Sequence, residues 1–278
     1  ASVRLTAFTA NTTNVLLTDS PLDSEEDISC EMIYTVCAGF VINPENEILS
    51  RKDVKEIISL CLNTAELEGD IPDYLSPAKG IIPKDAYIGS TAFRNACAEP
   101  SIERNSQLAQ YRWSFVLSDS EKSQIAGTNI MVPQRFSGYK YVSSVCELIK
   151  DTIGLSLNLE IVNDSDYVKR LKEGNYDICL AILSSDSANA FDYLSGFDGR
   201  YKGIYNDSAQ KAISFADKYS TLTAVIRDCS AAESEIISEY QYIPIWYAPK
   251  FMYSSDDSWD IGYDPFSGAI LFENAKSK

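Results

Sequence analysis

Apolar and polar positions change their rhythm along the chain. The first 42 residues hold short β-rich runs at Val15-Leu16-Leu17-Thr18, Met32-Ile33-Tyr34-Thr35-Val36 and Phe40-Val41-Ile42, which read as strands. Asn43-Pro44-Glu45-Asn46 is a turn signal. Val54, Ile57, Ile58, Cys61, Leu62 and Ala65 then recur at the spacing of one helix face. Ser50 with Asp53 three residues on predicts the N-cap of that helix, and Gly69 stands where a closing glycine belongs. Proline pairs at Ile71-Pro72, Ser76-Pro77, Ile82-Pro83 and Glu99-Pro100 mark residues 70–106 as loop. Leu108, Tyr111 and Phe115 place a helix over 106–117.

From residue 128 the pattern becomes a regular alternation. Asn129–Val132 reads as a strand, 139–152 as a helix with Val142, Val145, Cys146, Ile149 and Ile153 on one face, and Leu157–Val162 as a strand. Asp164 or Ser165 caps a short helix that Gly174-Asn175 ends, and Tyr176–Leu183 is an apolar strand buried on both faces. Such a βαβαβ run predicts a parallel sheet. Two more helices follow, one from Asp207 or Ser208 and one from Ser220 or Thr221, then an extended run Tyr242–Tyr247. The tail 256–278, rich in Asp, Ser and Gly, reads as a surface wrap.

Composition narrows the function. The chain has 24 Lys+Arg against 40 Asp+Glu, a formal charge of −16, which repels phosphate backbones and anionic headgroups. Nucleic acid and membrane surfaces are therefore not expected partners. No apolar run approaches the ~18 residues of a membrane span. There is no histidine, which removes Ser-His-Asp and Cys-His catalysis, the zincin motif and imidazole metal ligands. Carboxylates, lysine, tyrosine or a lone nucleophile are the catalytic options that remain; no catalytic residue is singled out, and neither a metal nor a cofactor is expected. The seven cysteines include no C-x-x-C; Cys61, Cys146 and Cys179 fall at small apolar core positions and read as buried thiols. The acidic runs 23–27 and 256–260 lack calcium-loop spacing and read as solvated loops.

In parallel α/β sheets ligands sit outside the carboxyl ends of the strands, which singles out Gln134, Arg135, Ser184, Ser185, Asp186 and Asn189. Asp186 offers a carboxylate to a cationic ligand group, or caps a turn. Ser184, Ser185 and Asn189 either hydrogen-bond a ligand backbone or serve turn chemistry. Gln134 and Arg135 suit a carboxylate or a sugar hydroxyl, the arginine through its fork of donors; the alternative is a solvated loop. Trp246 and Tyr247 are core aromatics or a ligand-stacking surface.

Several segments carry a resemblance. Phe40-Val41-Ile42-Asn43 with Leu49–Ile58, Pro77-Ala78-Lys79-Gly80-Ile81-Ile82-Pro83, Tyr167–Asp177, Gly203-Ile204-Tyr205-Asn206-Asp207 and Ile243-Pro244-Ile245-Trp246 together resemble the C-terminal half of the extracellular solute-binding proteins of peptide-type ABC importers. The resemblance implies an α/β fold, the second lobe of a type II periplasmic-binding-protein-like architecture, with hinge strands belonging to a missing first lobe. It divides the chain into 1–42 (strands of the truncated first lobe), 43–243 (second lobe) and 244–278 (return to the first lobe and tail), with the two end segments packed as a separate small layer. It implies a binding protein rather than an enzyme, which captures a small extracellular solute such as an oligopeptide between two lobes. Its partners would be that ligand, an ABC permease and the first lobe, and its place extracellular or periplasmic on a lipoprotein anchor. In the family the strand after Tyr-Asp continues Gly-Trp-x-x-Asp, and the acid meets the ligand's α-ammonium. Here Ile182-Leu183 replace the Gly-Trp, and Asp186 keeps the acid. The ligand is open between peptide, oligosaccharide and other small molecules. The alternative function is a carboxylate-dependent hydrolase such as a glycosidase, using a pair such as Asp186 and Asp192.

Overall fold

The computed structural model describes residues 15–19, 21–22, 29–63, 67, 71–136, 139–216, 218, 221–254, 262–264 and 269–271. Strands β1 (Val15–Thr18) and β2 (Ser29–Ile42) lead into helix α1 (Lys52–Cys61), short strands β3 (Ser76–Pro77), β4 (Tyr87–Ile88) and β5 (Thr91–Ala92), and helices α2 (Phe93–Ala96), α3 (Ser106–Val116) and α4 (Asp119–Ile125). The alternating part is β6 (Thr128–Pro133), α5 (Tyr139–Ile153), β7 (Leu157–Val162), α6 (Asp164–Glu173) and β8 (Ile178–Ser184). After it come α7 (Ala190–Ser195), β9 (Asp198–Tyr201), β10 (Ile204–Tyr205), α8 (Asp207–Ala216), α9 (Leu222–Ser238), β11 (Ile243–Ser254) and an antiparallel pair, β12 (Gly262–Asp264) with β13 (Ala269–Leu271).

Strands β1, β11, β2, β8, β6 and β7 lie side by side in that order, and β3 adds to β11, giving a mixed seven-stranded sheet. β6 runs parallel to both β7 and β8, while β2 is antiparallel to β8 and to β11. The three strands of the predicted βαβαβ run therefore share one sheet. Successive strand side chains point to opposite faces, so β2 sends Cys37 and Val41 to one core and Ala38, Phe40 and Ile42 to the other. β8 does the same with Cys179 and Ala181 against Ile178 and Leu180. The second of these cores lies under α1, α3 and α5; the first lies under α6, α7, α8 and α9. Helices on both faces explain why these strands are apolar throughout rather than alternating with polar residues.

Several expectations need correction. The described strands of the two end segments do not form a sheet of their own: Val36–Ile42 of β2 pairs with Ile178–Ser184 of β8, and β11 pairs along β2 from Phe40 to Ser29, so both extend the same sheet. The two runs Met32–Val36 and Phe40–Ile42 are one strand, paired through Gly39 with both β8 and β11, and Gly39 leaves room for Tyr242 to pack. A Cβ there would lie 2.5 Å from Tyr242 Cε1. Ser50 does not cap α1; its N–H is spent on Asn46 O at 3.0 Å inside the preceding turn. Arg51 takes the cap position and Asp53 clamps its guanidinium at 2.8 Å. The strand predicted over 242–247 runs on to Ser254. Gly69, both acidic runs and most of the tail lie outside the described residues. Cys61, Cys146 and Cys179 are buried thiols, as their positions predicted.

Candidate functional site

The ladder between β6 and β8 is short. Its last pair is Met131 with Cys179, whereas β6 follows β7 to Pro133 and Val162. Ser185 N–H donates to Thr35 O on β2 at 3.2 Å. Since backbone groups alternate sides along a strand, Ile182 and Ser184 face away from β2. Among the described residues no strand pairs with that edge of β8 beyond Cys179. A cavity of about 250 Å³ opens there, between the carboxyl ends of β6 and β8. Tyr167, Leu171, Leu183, Phe197 and Tyr201 supply apolar wall; Arg135, Ser184, Asp192 and Arg200 bring the polar groups. Tyr167 is fixed by donating from its hydroxyl to Leu180 O at 2.7 Å, and burial pushes its phenol pKa up, so it stays a donor.

The residues expected from sequence divide around this cavity. Ser184 and Arg135 line it. Arg135 is 64% exposed and reaches Asp164 only at 4.0 Å. Gln134 is exposed on the same turn, its N–H bonded to Val162 O at 2.7 Å, and it does not line the cavity. Ser185 and Asn189 do turn chemistry instead. Ser185 is buried, donates to Asp192 Oδ2 at 2.5 Å and accepts from Asn189 N–H at 2.8 Å. Asn189 caps α7 by accepting from Phe191 N–H at 3.0 Å. Asp186 stands just past β8 with its side chain 99% exposed, and Lys250 Nζ of β11 donates to its Oδ1 at 2.7 Å. That hydrogen bond holds the Asp186 carboxyl below the ordinary carboxylate range. The two carboxylates weighed as a hydrolase pair are thus held by different partners, Lys250 for Asp186 and two serine hydroxyls for Asp192.

Sequence reasoning missed Arg200, the Tyr167 wall and Lys250. Only the last left a signal: Lys250 is the single charged residue in the twelve of β11. Trp246 is core, stacked on Phe136 with ring centroids 6.2 Å apart.

A second cavity, of about 370 Å³, lies beside the segment 76–84, lined by Tyr34, Ser76, Lys84, Arg94, Glu99 and Tyr247 among others. Arg94 in its wall belongs to a buried ion pair. Glu233 of α9, 1% exposed, takes Arg94 Nη2 at 2.6 Å and Nη1 at 2.8 Å. Its Oε1 also accepts the N–H groups of Ile81 at 2.8 Å and Ile82 at 3.0 Å. Tyr247 accepts from Gly80 N–H at 3.1 Å. Gly80 is required by closeness: a Cβ would lie 2.4 Å from Glu233 Oε1 and 2.7 Å from Arg94 Nη2. Among the described residues no group of three potential metal-ligating side chains gathers, and no helix is long and apolar enough to cross a membrane.

Neither a protein-family profile nor a curated protein sequence matches the chain. Solved structures do. The pheromone receptor PrgZ, studied for its mode of peptide binding, superposes with a TM-score of 0.70 at 14% identity over 100% of this chain and 56% of its own. The dipeptide binding protein from Pseudoalteromonas sp. SM9913, in complex with Met-Leu, gives 0.69 at 19% over 100% and 56%. The ABC transporter-associated periplasmic binding protein DppA from Helicobacter pylori, in complex with peptide STSA, gives 0.69 at 14% over 99% and 55%. The chain therefore has the substrate-binding-protein fold expected from its motifs, and spans about half the length of these proteins.

Proposed function

We propose that this chain is the second lobe of a two-lobed peptide-binding protein serving an ABC importer, and that it grips an extended peptide along the outer edge of β8. The observation that carries this reading is the bare edge at Ile182 and Ser184, opening into a walled cavity at the carboxyl ends of two parallel strands. An unpaired strand edge takes up an extended peptide through main-chain bonds, and pockets beside it read alternate side chains. A sugar has no such backbone to offer. The solved proteins of like fold, described with peptides, support the same class of ligand.

The first lobe enters through the ribbon of β2, β11 and β1. Beyond Val36, β2 pairs with β11 on one side, and no described strand covers the other. Leu16, Phe251 and Tyr253 start a small third core there. In this reading residues 1–42 and 244–278 close the first lobe, and 43–243 form the second. The hinge lies where the chain crosses, near residues 41–44 and 243–247. A permease partner, an extracellular or periplasmic place and a lipoprotein anchor belong to the same proposal.

The test is a thermal-shift screen of the intact protein against oligopeptide pools, oligosaccharides and metal chelates. A bound ligand at about 100 times its Kd adds roughly 2.7 kcal/mol of stability. Stabilisation by peptides, lost when backbone N–H groups are methylated, is the expected result. A response to sugars with none to peptides would overturn it.

A further inference from the structure

The cavity beside segment 76–84 is separate from the one at the β8 edge: among the described residues the two share no lining side chain. Both crossing strands wall it, β2 through Tyr34 and β11 through Tyr247, and β3 adds Ser76 and Pro77. The charges on its wall are not alike. Arg94 is answered from within, since Glu233 takes both of its terminal nitrogens and Ile82 O takes Nε and Nη2. Lys84 and Glu99 are not answered. Lys84 Nζ lies over the Tyr34 ring, 4.5 Å from its centroid, a contact that holds an ammonium without neutralising it. Glu99 Oε1 is hydrogen-bonded at 3.1 Å to the Tyr247 hydroxyl, a neutral partner. Among the described residues neither side chain forms an ion pair, with the other or with a third group. One cavity of about 370 Å³ thus carries an ammonium and a carboxylate that stay apart. A ligand that completes both must hold the opposite charges itself, a carboxylate for Lys84 and an ammonium for Glu99, each making a charge-assisted bond. A dianion would be repelled by Glu99 and a polyamine by Lys84. Pro77 and the phenol rings of Tyr34 and Tyr247 add apolar surface, and a few convergent polar groups on such a wall are the ordinary form of a small-molecule site.

We propose that this second cavity is a binding site for a small apolar zwitterion, a free amino acid, with Lys84 on its carboxylate, Glu99 on its ammonium and its side chain against Pro77 and the two phenol rings. The proposal stands apart from the peptide reading above, because no residue of the β8 edge takes part.

The experiment is a titration of the intact protein, followed by calorimetry and thermal shift, with L-leucine and L-phenylalanine. Each is also offered as its N-acetyl form, which lacks the ammonium, and as its amide, which lacks the carboxylate. At least one of the two amino acids should bind, and its blocked forms should bind more weakly by about tenfold or more, the worth of one bond to a charged group. Lys84→Met and Glu99→Gln, both at exposed positions, should each weaken that amino acid by about the same factor and leave stabilisation by oligopeptide pools unchanged. Binding of neither amino acid, blocked forms that bind equally well, or binding that survives both variants would overturn the assignment while leaving the peptide reading intact. Loss of the oligopeptide response in either variant would merge the two sites and overturn it as well. Amino-acid binding with no response to oligopeptides in the wild type would remove the peptide reading and keep this one.

Discussion

Replacing Glu233 by alanine strikes the most heavily bonded buried charge among the described residues. The carboxylate is 1% exposed and answers four donors, two from Arg94 and two from the backbone at Ile81 and Ile82. Its removal leaves the Arg94 guanidinium, itself 9% exposed, without its ion-pair partner. Breaking a buried pair from one side costs about 3–5 kcal/mol. The orphaned backbone N–H groups add to this at about 1–3 kcal/mol each where no water reaches them. The terms overlap, so we expect a loss of about 4–6 kcal/mol, comparable with the whole stability of a marginal domain. The assay is urea unfolding followed by tryptophan fluorescence, for which buried Trp246 is a suitable reporter. A paired exchange, Arg94→Met with Glu233→Leu, should cost less than Glu233→Ala alone, since it strands no charge. A loss under about 1 kcal/mol in Glu233→Ala, or a paired exchange worse than the single one, would refute the reasoning.

Three further outcomes follow from the same geometry. Gly80→Ala has no room for its methyl between Glu233 and Arg94, and should lower the melting temperature although alanine is otherwise a mild exchange; an unchanged melt contradicts the close approach. Ser185→Ala leaves the Asn189 N–H without its acceptor, and should cost about 1–3 kcal/mol in a urea titration; peptide affinity reduced with stability intact would instead mark Ser185 as a ligand contact. Asp53, Glu160, Asp186 and Asp198 have carboxyls held low by hydrogen bonds from Arg51, Arg170, Lys250 and Arg200. Their folded pKa values lie below the unfolded ones, so their contribution is whole above pH ~4.5 and drains away as pH falls through the folded values. The urea midpoint should drop between pH 5 and pH 3, modestly because the pairs are exposed, and less steeply in Glu160→Gln; a flat or rising midpoint contradicts the sign.

The fold was legible wherever an element was long enough to repeat its pattern. α5 shows four turns of one apolar face, and β8 a run with no charge after Asp177. α2, α4 and α7, of four, seven and six residues, escaped notice because one or two turns give periodicity nothing to repeat. β2 reads as two apolar runs because spacing within it does not show what Gly39 is for: the ring of Tyr242, which packs against it, lies some two hundred residues along the chain. The site was legible as a place and only partly as a set of side chains. Strand order located the carboxyl ends, and Arg135 and Ser184 follow from it. Whether a serine or an asparagine faces a ligand or its own turn depends on a direction that spacing does not encode, and Ser185 and Asn189 turned inward. Lys250 meets Asp186 through the β2–β11 register, a pairing between distant parts of the chain.

That register has a consequence for how the molecule comes into being. β2 sits in the middle of the sheet, yet one of its two neighbours is β11, with Phe40 opposite Ile243. Closing a loop on the order of 200 residues costs roughly 5 kcal/mol in chain entropy before any contact repays it, and such distant pairings fold slowly. During synthesis a nascent chain that has emerged only as far as residue 242 carries β2 with one long side bare, the kind of edge that templates aggregation. The strand that seals the centre of the seven-stranded sheet is also the latest made of its members, so folding of this sheet is set by a race between a late strand and the stickiness of an early one.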